Sequence, residues 1–517
     1  MRKIAFLTIT MILVGISSVY AELIQVEVGG ELALRARAYI NTYNDGAANQ
    51  VRIPADLLPR RATGELLGVT SQLGWDSRSN DRVFIEGMTR LNVSAKFTEE
   101  VSAYTDLYSF WIWGEGFRSD YVTGRDFRSG PNGDVQVLQA YIQMDEVLDH
   151  PLRIRIGRQL LKLGNGWLVG EKTTATQYLS HDAIRFTYTP TDWVIDAFWS
   201  RIAEDSFGVD AGDANFYGVY ATYKGLENLN LSAYYLYLRD SQNVEDRRGS
   251  SITEWAERAL GLDQYPTTQI HTIGARANGK LGSFDYSAEA AYQWGDASTV
   301  GQRFLLDTVW GRYGDNTAEY DNWGAEAEIG YTFDTMWSPR PYVGGVYFGG
   351  EDNRDVSFID WLNPFSRPTA SASFNRLFSQ TYHSPVLVDN THMSNFSQLR
   401  VGVNFKPAEQ WSVNLRAANY WANGTFEHPR LFLNRPIVPS LSFLTQSASR
   451  DLGTALEAII GYQYSADLHF SLYWGHLFTG KGLSPNGNYI FQNGLRYSGG
   501  VDRKDADYIT FMTSVSF

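Results

Sequence analysis

Residues 451–474 read DLGTALEAIIGYQYSADLHFSLYW, and their period decides the fold. Leu452, Thr454, Leu456, Ala458 and Ile460 alternate with Gly453, Ala455, Glu457, Ile459 and Gly461. After Ser465-Ala466, Leu468, Phe470, Leu472 and Trp474 alternate with His469, Ser471, Tyr473 and Gly475. Ile509, Phe511, Thr513, Val515 and Phe517 repeat the pattern against Thr510, Met512, Ser514 and Ser516. A period of two makes strands with one apolar and one mixed face. The sequence then stops on an aromatic residue, with no helix to cover the apolar face. Lipid would make a cover unnecessary. A closed barrel is the sheet that satisfies every backbone group in hydrocarbon.

Working upstream, the same alternation predicts strands at about 26–40, up to 97, and at 101–112, 135–145, 151–159, 182–189 and 192–201. It continues at 215–224, 228–239, 269–280, 283–294, 322–334, 340–349, 396–406 and 410–421. With the three closing strands the count is eighteen, joined by alternating short turns and long connections. This is the topology of a bacterial outer-membrane barrel, all-β and antiparallel, with short periplasmic turns and long extracellular loops. A soluble propeller or stacked sandwich also uses many short strands, but predicts neither the strict alternation nor the final aromatic residue. Two loops stand apart. Ile252, Trp255, Ala256, Ala259 and Leu260 fall at helical spacing within 240–268, as local packing or as a lid over the mouth. The longest loop, about 350–395, carries Pro364, Pro368 and Pro385, which pin its backbone.

Composition agrees with a barrel. The 517 residues include 31 Tyr, 28 Phe, 15 Trp and 47 Gly, with no Cys and a mean hydropathy of −0.29. Barrel strands are half polar and carry aromatic girdles, whereas membrane helices need about 20 apolar residues in a row. The absence of cysteine excludes disulfides and thiolate metal sites, and a net charge of −13 argues against nucleic acid as a partner. Arg2 and Lys3, the apolar run Ile4–Val14 and Val19-Tyr20-Ala21 read as a signal peptide, residues 1–21, cleaved before Glu22. Residues 22–517 then form the barrel, in the outer membrane of a Gram-negative cell. Its first strand follows that cleavage site closely, which disfavours a plugged, energy-coupled transporter.

Three patches carry a resemblance. They are Leu152-Arg153-Ile154-Arg155-Ile156-Gly157-Arg158-Gln159 with Gly164, Gly170 and Asp182-Ala183-Ile184-Arg185; Asp451-Leu452-Gly453-Thr454-Ala455-Leu456-Glu457; and Gly475-His476-Leu477-Phe478-Thr479-Gly480 with Asp505-Ala506-Asp507. Through them the chain resembles the alginate-export family of outer-membrane barrels. The resemblance implies an eighteen-stranded fold and, by the family's namesake, passage of an alginate-like polyuronate. The family's pattern has an acidic residue where Ala455 stands.

Alternation also tells which side chains face the lumen. The basic candidates are Arg35, Arg37, Arg90, Lys96, Arg153, Arg155, Arg185, Arg276, Arg400 and Arg416. The acidic ones are Asp106, Asp196, Asp285, Glu289, Glu326, Glu328 and Glu457. An early basic group lies on strands one, two, five and six and a second on fourteen and fifteen, and strands eleven and twelve concentrate the acids. That placement predicts an arginine wall facing a carboxylate wall, a transverse field that sorts ions. Guanidinium groups would hold a uronate bidentately. The competing reading is that these charges pair with one another and simply stiffen the lumen.

Catalysis finds little support. His469 faces inward and His476 sits near the outer end of the same strand, neither with a partner that spacing reveals; the eight histidines show no His-Glu-x-x-His. No enzyme activity and no cofactor are expected; acidic loop residues such as Asp352 and Asp355 could hold calcium, though no motif supports it. The expected function is a channel for acidic saccharides or other small anions, in contact with outer-membrane lipid and, for polymer export, with periplasmic delivery partners. The alternative is a non-transporting barrel acting as receptor or scaffold.

Overall fold

The computed structural model describes residues 23–40, 82–113, 135–172, 176–204, 213–241, 267–297, 319–350, 371–387, 394–424, 449–483 and 505–517, with short backbone pieces within 428–446 and 488–498. Eighteen long strands follow the alternating stretches. They are β1 (Gln25–Ile40), β2 (Arg82–Lys96), β3 (Val101–Ile112), β4 (Val135–Met144), β5 (Leu152–Leu160), β6 (Ser180–Tyr188), β7 (Trp193–Ala203), β8 (Ala214–Leu226) and β9 (Leu229–Asp240). The second half comprises β10 (Thr268–Leu281), β11 (Phe284–Asp296), β12 (Glu319–Tyr331), β13 (Arg340–Phe348), β14 (Phe396–Phe405), β15 (Trp411–Ala422), β16 (Asp451–Gln463), β17 (Leu468–Thr479) and β18 (Ala506–Ser516).

Each strand pairs antiparallel with its neighbours in sequence, and β18 pairs with β1 from Glu31 opposite Ser516 to Ile40 opposite Asp507. Gly30 and Phe517 exchange both backbone hydrogen bonds, at 2.9 and 3.1 Å, which completes the ring. Closure removes the edges that an open sheet would leave unpaired. The strand count and the expected fold class are therefore those of the structure. The segment with helical spacing lies outside the described residues, as do Pro364, Pro368, Asp352 and Asp355.

Outward positions are apolar and open, among them Val219, Leu399, Val401, Leu415 and Leu456. Aromatic pairs bound this band. Trp193–Tyr223, Phe284–Tyr331 and Trp411–Tyr462, with ring centroids at 4.9, 4.7 and 4.7 Å, lie toward the short turns. His271–Trp294 at 5.3 Å and Trp323–Tyr347 at 4.2 Å lie toward the long connections. Amphipathic rings suit the two membrane–water interfaces.

One glycine of the first resemblance patch has a backbone reason. Gly157 on β5 has φ of +128°, and a Cβ there would sit 2.3 Å from the Ala140 carbonyl oxygen on β4. Gly157→Ala should cost about 1–3 kcal/mol, the usual strain of a side chain in such a conformation. Urea unfolding of the refolded barrel measures it; a loss below half a kcal/mol would show that the strands relax freely there.

Candidate functional site

The inward faces of the strands carry charges that pair across neighbouring strands. Arg35 on β1 binds Glu86 on β2, and Arg37 reaches the same carboxylate at 3.4 Å. Arg90 meets Asp106 at 2.5 Å and Glu31 at 3.6 Å, with its guanidinium 4.4 Å from the Tyr178 ring. Arg185 donates to Asp196 at 2.8 Å, and Arg276 lies 3.5 Å from Glu289, which also accepts from Tyr234 at 3.0 Å. Arg340 bridges Asp285 at 2.7 Å and Glu328 at 3.1 Å. Arg400 holds Glu326 at 2.8 Å and Glu328 at 3.1 Å, and Arg416 pairs with Glu457, which also accepts from Tyr473.

The expected two opposed walls are thus replaced by cation–anion pairs distributed around the ring. The reason is register. Alternation gives the face of each residue, but cross-strand pairing decides its partner, and Arg416 stands directly opposite Glu457, Arg276 opposite Glu289 and Arg35 opposite Glu86. Lys96 and Arg153 sit apart, at the short-turn rim, bound to Glu99 and Asp145 at 2.5 Å each.

Arg155 is different. It donates to Gln143 at 2.7 and 3.2 Å and lies 4.2 Å from the Tyr141 ring, which stacks on Tyr104 at 5.3 Å. It stands directly opposite Arg185 and two residues from Arg153. Among the described inward strand arginines, it alone has no carboxylate within ion-pair distance. Like charges directly opposite on neighbouring strands destabilise a sheet, so local folding energy does not favour this placement.

Two connections from the long-loop rim fold into the lumen and meet. Residues 161–172 follow β5, and residues 371–387 lie between β13 and β14. Val169 and Phe378 form a parallel bridge, with Gly170 N–H donating to the Phe378 carbonyl and Phe378 N–H to the Leu168 carbonyl, both at 2.8 Å. Gln380 donates from its backbone to Gly166 at 3.0 Å and from its side chain to the Asn165 carbonyl at 3.1 Å, and accepts from Glu171 N–H at 3.1 Å. Any Cβ at Gly170 would lie 2.5 Å from that of Gln380, so the close approach requires glycine there.

Apolar side chains drive the segments inward. Leu161, Leu163, Trp167, Leu168 and Val169 are buried, and Trp167 stacks on Phe348 at 5.7 Å and packs tilted against Phe374 at 5.9 Å. The wall ties them down. Asn375 and Gln293 of β11 exchange hydrogen bonds at 2.7 and 2.8 Å, and the His383 carbonyl accepts from Gln398 at 2.9 Å and Tyr420 at 2.8 Å. Downstream of the first segment, Thr176 receives Arg35 at 3.2 Å and donates to Glu86 at 2.8 Å. Burial in this plug lowers Arg376 to about 9 despite Glu326 and Tyr382, and holds His383 well below the ordinary histidine value.

The family model for alginate export matches residues 60–489. The chain belongs to the alginate-export family. Among solved structures, Pseudomonas aeruginosa OccK8 (OprE) is 11% identical with a TM-score of 0.50, over 95% of this chain and 98% of its own. A BenF-like porin from Pseudomonas fluorescens Pf-5 is 10% identical with a TM-score of 0.48, over 96% of this chain and 99% of its own. No curated protein matches the chain in sequence. The first of these likenesses supports the barrel fold. Membership of the alginate-export family makes this barrel an outer-membrane channel. The rim of short turns is then the periplasmic one.

Sequence reasoning missed several participants of this lumen. Glu86 continues the alternation of Arg90 two steps upstream, and Arg340 precedes Tyr342 on the inward face of β13, so both were within reach of the same rule. Gln143 and Tyr141 carry no charge to attract notice. Trp167 among leucines in a connection was the available sign of an inward fold. His469 does face inward, near the periplasmic end, with its ring beside Gly461. His476 instead faces outward, 2.9 Å from Asp507 and against Trp474 and Phe478. The described residues hold no cluster suited to a metal.

Proposed function

We propose that this channel passes acidic saccharides or other small anions by diffusion through the narrowed lumen. Arg155 carries the reading. Its uncompensated charge, beside Arg153 and Arg185, offers a periplasmic-side station for a carboxylate, while the stacked Tyr104 and Tyr141 rings offer an apolar face to a sugar. Guanidinium binds carboxylate through parallel N–H donors. The paired charges elsewhere present both signs to the path, so an anion is passed along without being trapped. Export of an alginate-like polyuronate is the sharper form and requires partners that deliver the polymer from the periplasm. In this reading residues 1–21 direct export and are removed before Glu22.

The test is the reversal potential of the refolded barrel in a planar bilayer under a salt gradient. Arg155→Gln should shift selectivity toward cations, and oligouronates added on one side should block the wild type several-fold more strongly than the variant. Unchanged selectivity would reject the Arg155 station. A barrel with no conductance would favour the receptor or scaffold reading.

A further inference from the structure

The plug contains a buried titratable group that solute passage does not use. His383 belongs to residues 371–387 and is 5% exposed. Its ring packs against Phe348 at 5.5 Å and Phe396 at 5.8 Å, and its Nε2 lies 3.4 Å from Thr381 Oγ1. Its carbonyl is the acceptor for Gln398 and Tyr420, so the residue is one of the points at which the segment is fastened to β14 and β15.

The charged surroundings are one-sided. Arg376 and Tyr382 come from its own segment, Arg400 from β14, and Arg416 and Tyr420 from β15. The carboxylates nearest these arginines are engaged: Glu326 and Glu328 of β12 on Arg400, and Glu457 of β16 on Arg416. No carboxylate lies within ion-pair distance of His383 among the described residues. A proton on its ring would therefore add a cation to three others in a buried pocket.

The far side of the latch rests on another imidazole seat. Phe378, which forms the parallel bridge, sits edge-on to His181 of β6 at 5.0 Å and against Phe216 of β8 at 5.0 Å. The two knitted segments are thus clamped between aromatic walls, and release at His383 removes one of the two.

We infer that residues 371–387 form an acid-released latch: protonation of His383 frees the segment from β14 and β15, parts the Val169–Phe378 bridge and widens the lumen. The inference rests on the channel reading for its consequence, and on this geometry alone for the latch. Its sign follows from linkage. The latched state keeps His383 neutral, and burial with three arginines around it explains why. The released state exposes an ordinary histidine, with a value near 6.5. Above about pH 6.5 neither state takes up a proton and the ratio is flat. Below it only the released state does, and each pH unit raises the released fraction about tenfold until the latched histidine itself titrates.

Two readouts test this with the full chain refolded in lipid. Hydrogen exchange at the Gly170 and Phe378 amides should speed up about fivefold, after correction for intrinsic rates, between pH 6.5 and 5.5. His383→Gln should flatten that dependence, with His383→Phe as a second variant should glutamine perturb packing. Because the chain has no cysteine, Val169→Cys with Phe378→Cys adds a single lockable pair. Oxidation should abolish the acid response and reductant should restore it. Single-channel current should rise in step with exchange. An acid response of the same slope in both His383 variants, or no response in the wild type, overturns the latch. Acid-dependent exchange in a barrel that never conducts would keep the latch and sink the channel reading instead.

Discussion

Glu86→Ala is expected to destabilise the barrel by about 3–5 kcal/mol, the usual consequence of removing one partner from a buried ion pair. Glu86 is 2% exposed, and Arg35 and Arg37, which share it, are 4% and 9% exposed. Alanine would leave two guanidinium groups on β1 without the carboxylate that compensates their desolvation. Thr176 also donates to Glu86, so the connection after residues 161–172 would lose one of its ties to the wall, those from Arg35 and Tyr108 remaining. Glu86→Gln keeps an acceptor and the shape of the side chain, and should cost less. Urea titrations in lipid vesicles, followed by tryptophan fluorescence, separate the variants. A cost under 1 kcal/mol for alanine would mean that water already screens this triad.

The second large effect concerns the lumen. Trp167 is fully buried, and truncation of a buried tryptophan to alanine costs about 3–5 kcal/mol. The loss falls on residues 161–172, whose other hydrogen-bonded ties to residues 371–387 are a few backbone bonds and two made by the Gln380 side chain. Since each 1.4 kcal/mol is a factor of ten, Trp167→Ala should raise the population with parted segments at least a hundredfold. Single-channel recordings should show larger conductance, more open-channel noise and weaker discrimination between anions and cations. Leu399→Ala, on the lipid face, is the control and should leave the current unchanged. Conductance at the wild-type level in Trp167→Ala would show that the two segments do not limit the path.

Most of the ring was legible because hydrocarbon imposes one rule on every strand. Alternation such as Leu452, Thr454, Leu456 against Gly453, Ala455, Glu457 is needed wherever a wall separates lipid from water, so it repeats eighteen times. The inward list was legible for the same reason. Pairing was not, since Arg416 opposite Glu457 depends on a register set by turns and neighbouring strands, not by the local pattern. Ala455 illustrates the limit. It faces inward and is fully covered within an apolar cluster that also contains Leu477 and Ala418. The inner segments lacked any period. Residues 161–172 take irregular backbone in which Leu168 and Gly170 bond to Phe378, and Gly166 to Gln380, partners about 210 positions apart in sequence. Only the burial of Trp167 and its leucines hints at that meeting, and burial inside a ring depends on the ring already being there.

The seam between β1 and β18 has a consequence for how the molecule is made. Residues there are joined at separations of nearly the whole chain, as with Leu32 opposite Val515 and Gly30 bonded to Phe517. Loop-closure entropy must be met before such contacts return anything, so this is the slowest kind of contact to form. During synthesis and transit β1 waits with one unsatisfied edge until the final eleven-residue strand arrives. An exposed edge of that length invites pairing with other chains. The barrel is therefore at greatest risk of aggregation just before closure, and variants that weaken the Gly30–Phe517 junction should lower the yield of assembled protein well before they lower the stability of the finished ring.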